Sequence, residues 1–292
     1  MYKTGIITDE ISQNLAVAAR LARQYGLDAL EIRSVNERNP FQMEKQDFAH
    51  VKQVADEYGL KICGISSPLF KCDIGSEADY HQHLEGLRRC VEAAHLWQTD
   101  MIRAFTFWYR EDARPEQIAE KFQKAIEIAR DGGITLAIES EPSVNTRNIG
   151  RLVEFLKLLD TPTVAALWDP GNEISDPTAP PPYPDGYAIL KPYIKHVHLK
   201  DIKAKPDGAF YEPALMGQGD VDFHGVLRQL REDNYEGYVS VETHFRIKTA
   251  QLDEGLLVRP QGSSFSEGGY EASVAYLDIL RDEYNWMGEG KR

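Results

Sequence analysis

The stretch that decides the fold is Tyr25-Gly26-Leu27-Asp28-Ala29-Leu30-Glu31-Ile32, which returns as Tyr58-Gly59-Leu60-Lys61-Ile62-Cys63-Gly64-Ile65. Both copies follow a stretch in which apolar residues recur with helical spacing. A glycine just past such a stretch adopts the left-handed conformation that ends a helix, and an apolar strand then begins. The phrase returns at Gly132-Gly133-Ile134-Thr135-Leu136 and, more loosely, at Tyr235-Glu236-Gly237-Tyr238-Val239. The chain is therefore predicted to alternate helices with strands.

Eight such alternations can be followed along the sequence. Strands are predicted near residues 3–9, 29–33, 61–66, 101–106, 135–140, 164–168, 195–200 and 238–243. The clearest helical patterns cover residues 85–97, 115–131, 149–159, 223–233 and 271–284. Eight alternations favour a (β/α)₈ TIM barrel over a doubly wound sheet, which usually has about five or six strands. Residues 1–292 contain no linker, so a single domain is predicted, with long rim loops at about 170–187 and 246–269.

The composition excludes several classes of function. A formal net charge of −13 opposes binding to nucleic acid and to anionic membranes, and no run of lysine or arginine offsets it. Cys63, Cys72 and Cys90 lack the spacing of a zinc motif, so we expect reduced thiols in a reducing compartment. No apolar run approaches the roughly 18 residues of a membrane span, and the amino terminus lacks a signal-peptide core. The expected location is the cytoplasm. A phosphorylated substrate stays open, because one cationic side chain is enough to hold it.

Polar residues stand at the carboxyl ends of four predicted strands, each after a short apolar run. Side chains alternate across a strand, and in these four strands the polar and apolar residues occupy opposite parities. Helices cover the outside of a barrel, so the polar parity points into the barrel or its mouth. Three carboxylates and one imidazole in that place suit a divalent cation such as Mn²⁺, Mg²⁺ or Co²⁺. The alternative is a set of polar residues that pair with each other without metal. The four residues are Glu139, Asp169, His198 and Glu242.

The same parity places further polar residues inside the barrel. His196 lies one step below the four and is predicted to be a hydrogen-bonded structural residue. The others are candidates for substrate contacts, and internal salt bridges at the rim are the alternative for those in strands two and four. These candidates are Glu31, Arg33, Arg103, Lys200 and His244.

Longer motifs surround these residues. They are Thr8-Asp9-Glu10-Ile11-Ser12, Leu30-Glu31-Ile32-Arg33, Asp169-Pro170-Gly171-Asn172, His196-Val197-His198-Leu199-Lys200-Asp201, Gly217-Gln218-Gly219-Asp220-Val221-Asp222-Phe223 and Tyr235-Glu236-Gly237-Tyr238. With them, the chain resembles the sugar phosphate isomerase/epimerase superfamily, the xylose isomerase-like TIM barrels, over nearly its whole length. The motifs are specific for the superfamily and weak for any one substrate.

The resemblance carries the family's metal ligands over to the four strand-end residues, Glu139, Asp169, His198 and Glu242. Glu141 competes for the strand-five place and is also a candidate for substrate contact. Two positions depart from the ketose 3-epimerases. Asn172 stands where those enzymes carry a histidine, and Asn145 where they carry a second glutamate. Asn172 is kept as a substrate-contact candidate, but 3-epimerase specificity does not transfer.

The resemblance also implies a reaction. A proton is abstracted next to a carbonyl, with the metal as Lewis acid and Glu139 and Glu242 as proton carriers on the two sides of the substrate. The first hypothesis is therefore a metal-dependent sugar isomerase or epimerase that works through an enediolate. A dehydratase or lyase acting on an inosose or 3-keto-glycoside is the alternative, and a non-catalytic sugar-binding barrel is the alternative of another class.

The cofactor and partners follow from the same reasoning. Mn²⁺ is the first candidate for the metal, and Mg²⁺, Co²⁺ and Zn²⁺ are alternatives. The expected partner is a small carbohydrate, with no nucleic acid and no membrane, and a homodimer or tetramer is a mild expectation. An apurinic-site endonuclease shares this barrel, but it requires more histidine ligands than the strand ends here provide.

Overall fold

The computed structural model describes residues 1–174, 176, 179–204, 212–247 and 268–286. Eight parallel strands close into a barrel, which confirms the predicted (β/α)₈ fold. The barrel strands are β1 (Lys3–Ile7), β2 (Ala29–Ile32), β3 (Lys61–Leu69), β4 (Met101–Ala104), β5 (Thr135–Glu139), β6 (Val164–Trp168), β7 (Ile194–Leu199) and β10 (Tyr238–Val241). Around the barrel they follow the order β1-β10-β7-β6-β5-β4-β3-β2. That residues 1–292 form one domain stays a prediction.

Helices lie between the strands at the predicted places, and the helix predicted from residue 85 begins earlier, at Glu77. Ser76 explains that start, because its hydroxyl accepts a hydrogen bond from the backbone N–H of Asp79 and caps the helix. The helices are α1 (Thr8–Ile11), α2 (Leu15–Gln24), α3 (Lys45–Glu57), α4 (Glu77–Trp97), α5 (Pro115–Asp131), α6 (Ile149–Leu159), α7 (Pro170–Ile174), α8 (Tyr187–Leu190), α9 (Phe223–Glu232) and α10 (Gly269–Asp282). None of the described helices is long and apolar enough to cross a membrane.

The glycines that were predicted to end helices do so. Gly26, Gly59 and Gly133 have φ values of 68°, 64° and 68°, in the left-handed region that glycine adopts without strain. The fourth and looser copy of the phrase differs, because its left-handed residue is Asn234, with φ of 53°, and not Gly237. Asparagine tolerates this conformation better than most residues, so the same turn is made with another side chain.

The predicted alternation across the strands is also present. The outward parity of the strands joins the large apolar core that they share with the helices, as shown by Leu136, Ile138, Val197 and Val239. The inward parity of β4, β5 and β6 forms a small separate apolar layer of Met101, Ala137 and Leu167. This layer fills the barrel below the polar residues, which therefore lie toward its carboxyl-terminal mouth.

Three small features were not predicted from the sequence. Helix α1 follows β1 directly, helix α7 follows β6 directly, and a two-stranded ribbon pairs β8 (Ile202–Lys203) with β9 (Glu212–Pro213). The predicted rim loop at 170–187 contains α7 and a short kinked segment at Pro182–Gly186, in which the backbone of Tyr183 is extended. Most of the predicted rim loop at 246–269 lies outside the described residues.

Candidate metal centre

Four side chains converge at the mouth of the barrel, and they are the four that the strand ends predicted. Glu139 ends β5, Asp169 follows β6, His198 lies in β7 and Glu242 follows β10. Each is at most 2% exposed. Each contributes one atom to a group whose members all lie within 4.8 Å of one another. This is a set of three carboxylate oxygens and one imidazole nitrogen around a common point.

Every member of the set is fixed by a contact on its outer side. The second oxygen of Glu139 accepts a hydrogen bond from Arg103 at 3.0 Å, and the second oxygen of Glu242 accepts one from Arg33 at 2.9 Å. Partners of this kind orient the ligands of a metal and tune their basicity.

Glu31 performs the corresponding role for His198. Its Oε1 lies 2.9 Å from Nε2 of His198, and its Oε2 lies 2.8 Å from Nε2 of His196. Burial opposes protonation of His198, but Glu31, Glu139 and Glu242 raise its pKa well above the usual range, so the ring is protonated when no metal is bound. Nε2 donates to the ionised Glu31 carboxylate, and Nδ1, on the side of Glu139 and Glu242, would give up its proton to a bound cation. This Nδ1 is buried and has no hydrogen-bond partner among the described residues. A buried ring nitrogen in that state, 3.5 Å from Glu242 and 3.7 Å from Glu139, fits a divalent cation.

The pairing expected in the alternative without metal is also present, because cationic side chains contact all three carboxylates. Lys200 Nζ lies 2.6 Å from Asp169 Oδ2 and 3.1 Å from Glu242 Oε2, and two arginines hold the outer oxygens of the glutamates. Charge repulsion alone therefore does not demand a metal. The orientation of His198 and the convergence of the four atoms carry the argument.

Burial and neighbouring charges shift the pKa values of the three carboxyl groups in different directions. Burial alone would raise the pKa of Glu139, but Arg103 and His198 together outweigh it and the pKa falls to about 2. Burial also opposes ionisation of Glu242, yet Lys200, His244 and His198 together hold its pKa well below the usual range. The pKa of Asp169 is raised, mainly by burial. The two glutamates therefore stay ionised at neutral pH, as a ligand or a general base must.

A second buried network adjoins the first, and sequence reasoning missed most of it. Arg33 donates through Nε to Asp9 at 3.1 Å and through Nη2 to Glu10 at 2.6 Å, while its Nη1 reaches Glu242. Glu10 also accepts from both terminal nitrogens of Arg246 at 3.1 Å. Asp9 and Glu10 follow β1 within α1, where no strand alternation marks them. Their position directly after a strand was the available signal.

Helix α7 holds two of the metal-ligand candidates in place. Asp169 Oδ1 accepts from the backbone N–H of Gly171 at 2.9 Å, and the amide of Asn172 donates to Glu139 Oε1 at 3.1 Å. A Cβ at Gly171 would lie 2.4 Å from the carbonyl oxygen of Lys200, so only glycine fits there. Asn172 was predicted as a substrate contact; its amide donates to the ligand candidate Glu139, and the substrate contact stays a prediction.

Glu173 is a further buried carboxyl group on α7 that the sequence did not single out. It accepts hydrogen bonds from the Ser140 hydroxyl and from the backbone N–H of Ile149, at 2.9 Å for the latter. Burial raises its pKa to about 7 despite these bonds. It links α7 to the first turn of α6 and to the residue after Glu139.

The remaining predicted residues lie in distinct places. Glu31 is fully buried with both oxygens hydrogen-bonded, to His196 and to the ligand candidate His198, and its substrate contact stays a prediction. The hydrogen-bonded role of His196 is confirmed by its bond to Glu31. Glu141 pairs with Lys71 at 2.7 Å at the rim, and Glu139 takes the strand-five place in the cluster.

His244 lies 3.3 Å from Glu242. Substrate contacts by Arg33, Arg103, Lys200 and His244 stay predictions.

Comparison with known proteins supports the fold. A family model described as the xylose isomerase-like TIM barrel matches residues 19–262. An inosose dehydratase of Clostridium perfringens (strain 13 / Type A) is 29% identical over 144 residues, which cover 43% of this chain and 46% of that protein. The matched part thus spans about half the length of this curated relative.

Solved structures superpose over almost the whole chain. A D-allulose 3-epimerase from Methylomonas sp., in complex with D-allulose, has a TM-score of 0.70 at 17% identity and covers 97% of both chains. The IOLI protein, with a bound zinc atom, has a TM-score of 0.72 at 16% identity and covers 95% of this chain and 96% of its own. At such identities, these likenesses show the fold alone.

Proposed function

Since this chain belongs to the xylose isomerase-like TIM barrel family, we propose that it is a metal-dependent enzyme that removes a proton next to the carbonyl of a sugar-like ketone. The observation that carries the proposal is the convergence of Glu139, Asp169, His198 and Glu242 on one buried point. Their outer atoms are held by protein contacts, and their inner atoms suit a divalent cation. Mn²⁺ remains the first candidate, with Mg²⁺, Co²⁺ and Zn²⁺ as alternatives.

The metal, when bound, supplies a Lewis acid that polarises the carbonyl and stabilises the negative charge that develops during proton removal. The four ligand residues hold it at the carboxyl-terminal mouth of the barrel, where enzymes of this fold place their chemistry. Arg103 and Arg33 hold the outer oxygens of the two glutamates and thereby fix the inner oxygens toward the substrate space.

The proton carriers in this proposal are Glu139 and Glu242. Both have lowered pKa values, so both are ionised and able to accept a proton. They lie on β5 and after β10, and two strands separate them in the barrel, so they approach the substrate from different directions. Glu242 Oε2 removes the proton in the first step, and Lys200 Nζ, 3.1 Å from it, is placed to donate a hydrogen bond to an oxygen of the substrate.

The step after proton removal distinguishes two outcomes. Return of the proton by Glu139 gives an isomerase or epimerase, which is the first hypothesis from the sequence. Loss of a β-hydroxyl group as water, with its proton supplied by one of the two carboxyl groups, forms a carbon–carbon double bond and gives a dehydratase. The similarity to an inosose dehydratase favours dehydration. The ketose 3-epimerases carry a histidine at the position of Asn172, which here contacts Glu139. This difference weakens the comparison with those enzymes. We therefore propose dehydration of an inosose-like ketone first and epimerisation second.

Solvent exchange tests the shared first step. Metal-loaded protein is incubated in D₂O with inososes, ketoses and 3-keto-glycosides, and proton NMR follows loss of the C–H signal and formation of an alkene product. Exchange with retained skeleton indicates an isomerase or epimerase, and an unsaturated product indicates a dehydratase. Binding without exchange would instead support the non-catalytic sugar-binding alternative.

A variant pair identifies the base. Glu242→Gln is expected to lower exchange by roughly 100-fold or more, because the carboxylate that accepts the proton is lost. Glu57→Gln is the matched control, since Glu57 is exposed at the end of α3, away from the barrel mouth. Near-normal exchange by a folded, metal-loaded Glu242→Gln protein would remove Glu242 from this role.

A further inference from the structure

The cationic side chains around the candidate centre are bound to carboxylates of the protein itself. Lys200 contacts Asp169 and Glu242, and Arg103 contacts Glu139. Among the described residues, the pattern continues outward at the mouth. Arg33 and Arg246 share Glu10, and Lys71 at the rim pairs with Glu141.

The four ion pairs nearest the centre are buried, and burial makes it costly to separate their partners. The side chains of Arg33, Arg103, Lys200 and Arg246 are 11%, 9%, 2% and 5% exposed. A phosphate or carboxylate on a substrate that took one of these cations would leave the protein's own carboxylate buried and unpaired. That exchange is strongly unfavourable in a site of low dielectric constant.

The charges of the buried side chains in and around the candidate centre also balance without an anionic substrate. Four cationic side chains, Arg33, Arg103, Lys200 and Arg246, face six carboxylates. One divalent cation makes these two totals equal. A dianionic substrate would add two negative charges to this balanced set. The carboxylates are those of Asp9, Glu10, Glu31, Glu139, Asp169 and Glu242.

We infer that the substrate carries no charged group and is an uncharged polyhydroxylated ketone, in contrast to a sugar phosphate or a keto acid. The inference rests on the proposed function and narrows its substrate class. Hydroxyl groups of such a ketone donate hydrogen bonds to the carboxylates that line the site, without displacing a cation from its partner.

Matched pairs of compounds test the inference. Metal-loaded protein is given D-fructose with D-fructose 6-phosphate, D-xylulose with D-xylulose 5-phosphate, and 2-inosose with a phosphate monoester of 2-inosose. Binding is measured by calorimetry and exchange by NMR in D₂O. The uncharged member of at least one pair is expected to bind and react with a kcat/KM about 100-fold or more above that of its charged partner.

The outcomes separate this inference from the proposed function. Tighter binding or faster reaction of the charged members overturns the inference and leaves the function intact. Binding of uncharged members without exchange overturns the function, while the affinity ratio still supports the inference. Absence of binding by all six compounds would count against both.

A variant at the rim gives an independent test. Glu141→Gln removes the carboxylate that holds Lys71, and should lower the ratio of the phosphate ester's Kd to the uncharged ketose's Kd by roughly fivefold. Glu141→Asp keeps the charge and is the matched control. An unchanged ratio in Glu141→Gln would show that paired cations are not what excludes an anionic substrate.

Discussion

The contact between Glu31 and His198 offers the sharpest test of the metal centre. In Glu31→Gln the side chain keeps its shape but loses its negative charge and one acceptor. The two oxygens of Glu31 accept hydrogen bonds from His198 and His196, whereas the carboxamide of a glutamine would direct its NH₂ group, a donor, at one of them. His198 then loses the partner that fixes Nδ1 toward the three carboxylates.

The expected cost follows from the role of such outer partners. Their loss lowers metal affinity by roughly 10- to 100-fold, which corresponds to about 1.4 to 2.7 kcal/mol of binding free energy. The substitution should weaken metal binding rather than substrate binding, because Glu31 is fully buried and contacts the ligand candidate His198. Glu139→Gln, which removes a ligand itself, should weaken binding further.

The assay is titration of chelator-treated protein with Mn²⁺, with free Mn²⁺ measured by electron paramagnetic resonance. Glu141→Gln is the control, because Glu141 is a neighbouring carboxylate that lies outside the cluster and pairs with Lys71. Circular dichroism checks that each variant is folded. Wild-type Mn²⁺ affinity in Glu31→Gln, together with weakened binding in Glu139→Gln, would refute the role assigned to Glu31.

Three further predictions follow from the same contacts. Mn²⁺ at 100 times its Kd should stabilise the chelator-treated protein by about 2.7 kcal/mol and raise Tm by roughly 5 °C in calorimetry; an unchanged Tm would contradict metal binding to the folded chain. Glu10→Gln, which takes a buried carboxylate from Arg33 and Arg246, should lower the free energy of unfolding in urea by about 3 kcal/mol, and a loss below about 1 kcal/mol would show that the arginines find other partners. Glu173 has a folded pKa of about 7 against an ordinary value of 4.5, so the folded state binds more protons between these values and stability falls as pH rises through that window. Urea titrations at pH 5 and pH 8 should show that Glu173→Gln reduces this fall by up to about 3 kcal/mol, and parallel losses in both proteins would rule out the raised pKa.

The sequence located the candidate centre because each of its members carries two local signals. Glu139, Asp169, His198 and Glu242 end apolar strands and share the polar parity of those strands. Parallel strands of one barrel bring such positions to one end, so local patterns were sufficient to place the four side chains together.

The same local signals could not give the height of a side chain along the barrel axis, nor the residues that it contacts. Parity correctly turned Glu31 inward, but the stagger of the closed barrel sets it below His198, and stagger is a property of all eight strands. Asp9 and Glu10 lie in a four-residue helix, and Arg246 lies in the segment after β10, where no periodic pattern applies. The contact between Glu10 and Arg246 joins residues 236 positions apart.

The sequence by itself determined the alternation of helices and strands, the ends of most elements, and the polar parity at four strand ends. These depend on short-range periodicity and on residues such as Gly26 and Gly59, which act within a few positions of the chain. Only the tertiary structure decided which carboxylate each buried lysine or arginine contacts. Whether a buried lysine or arginine is available to a substrate depends on carboxylates that the closed barrel brings to it from other strands.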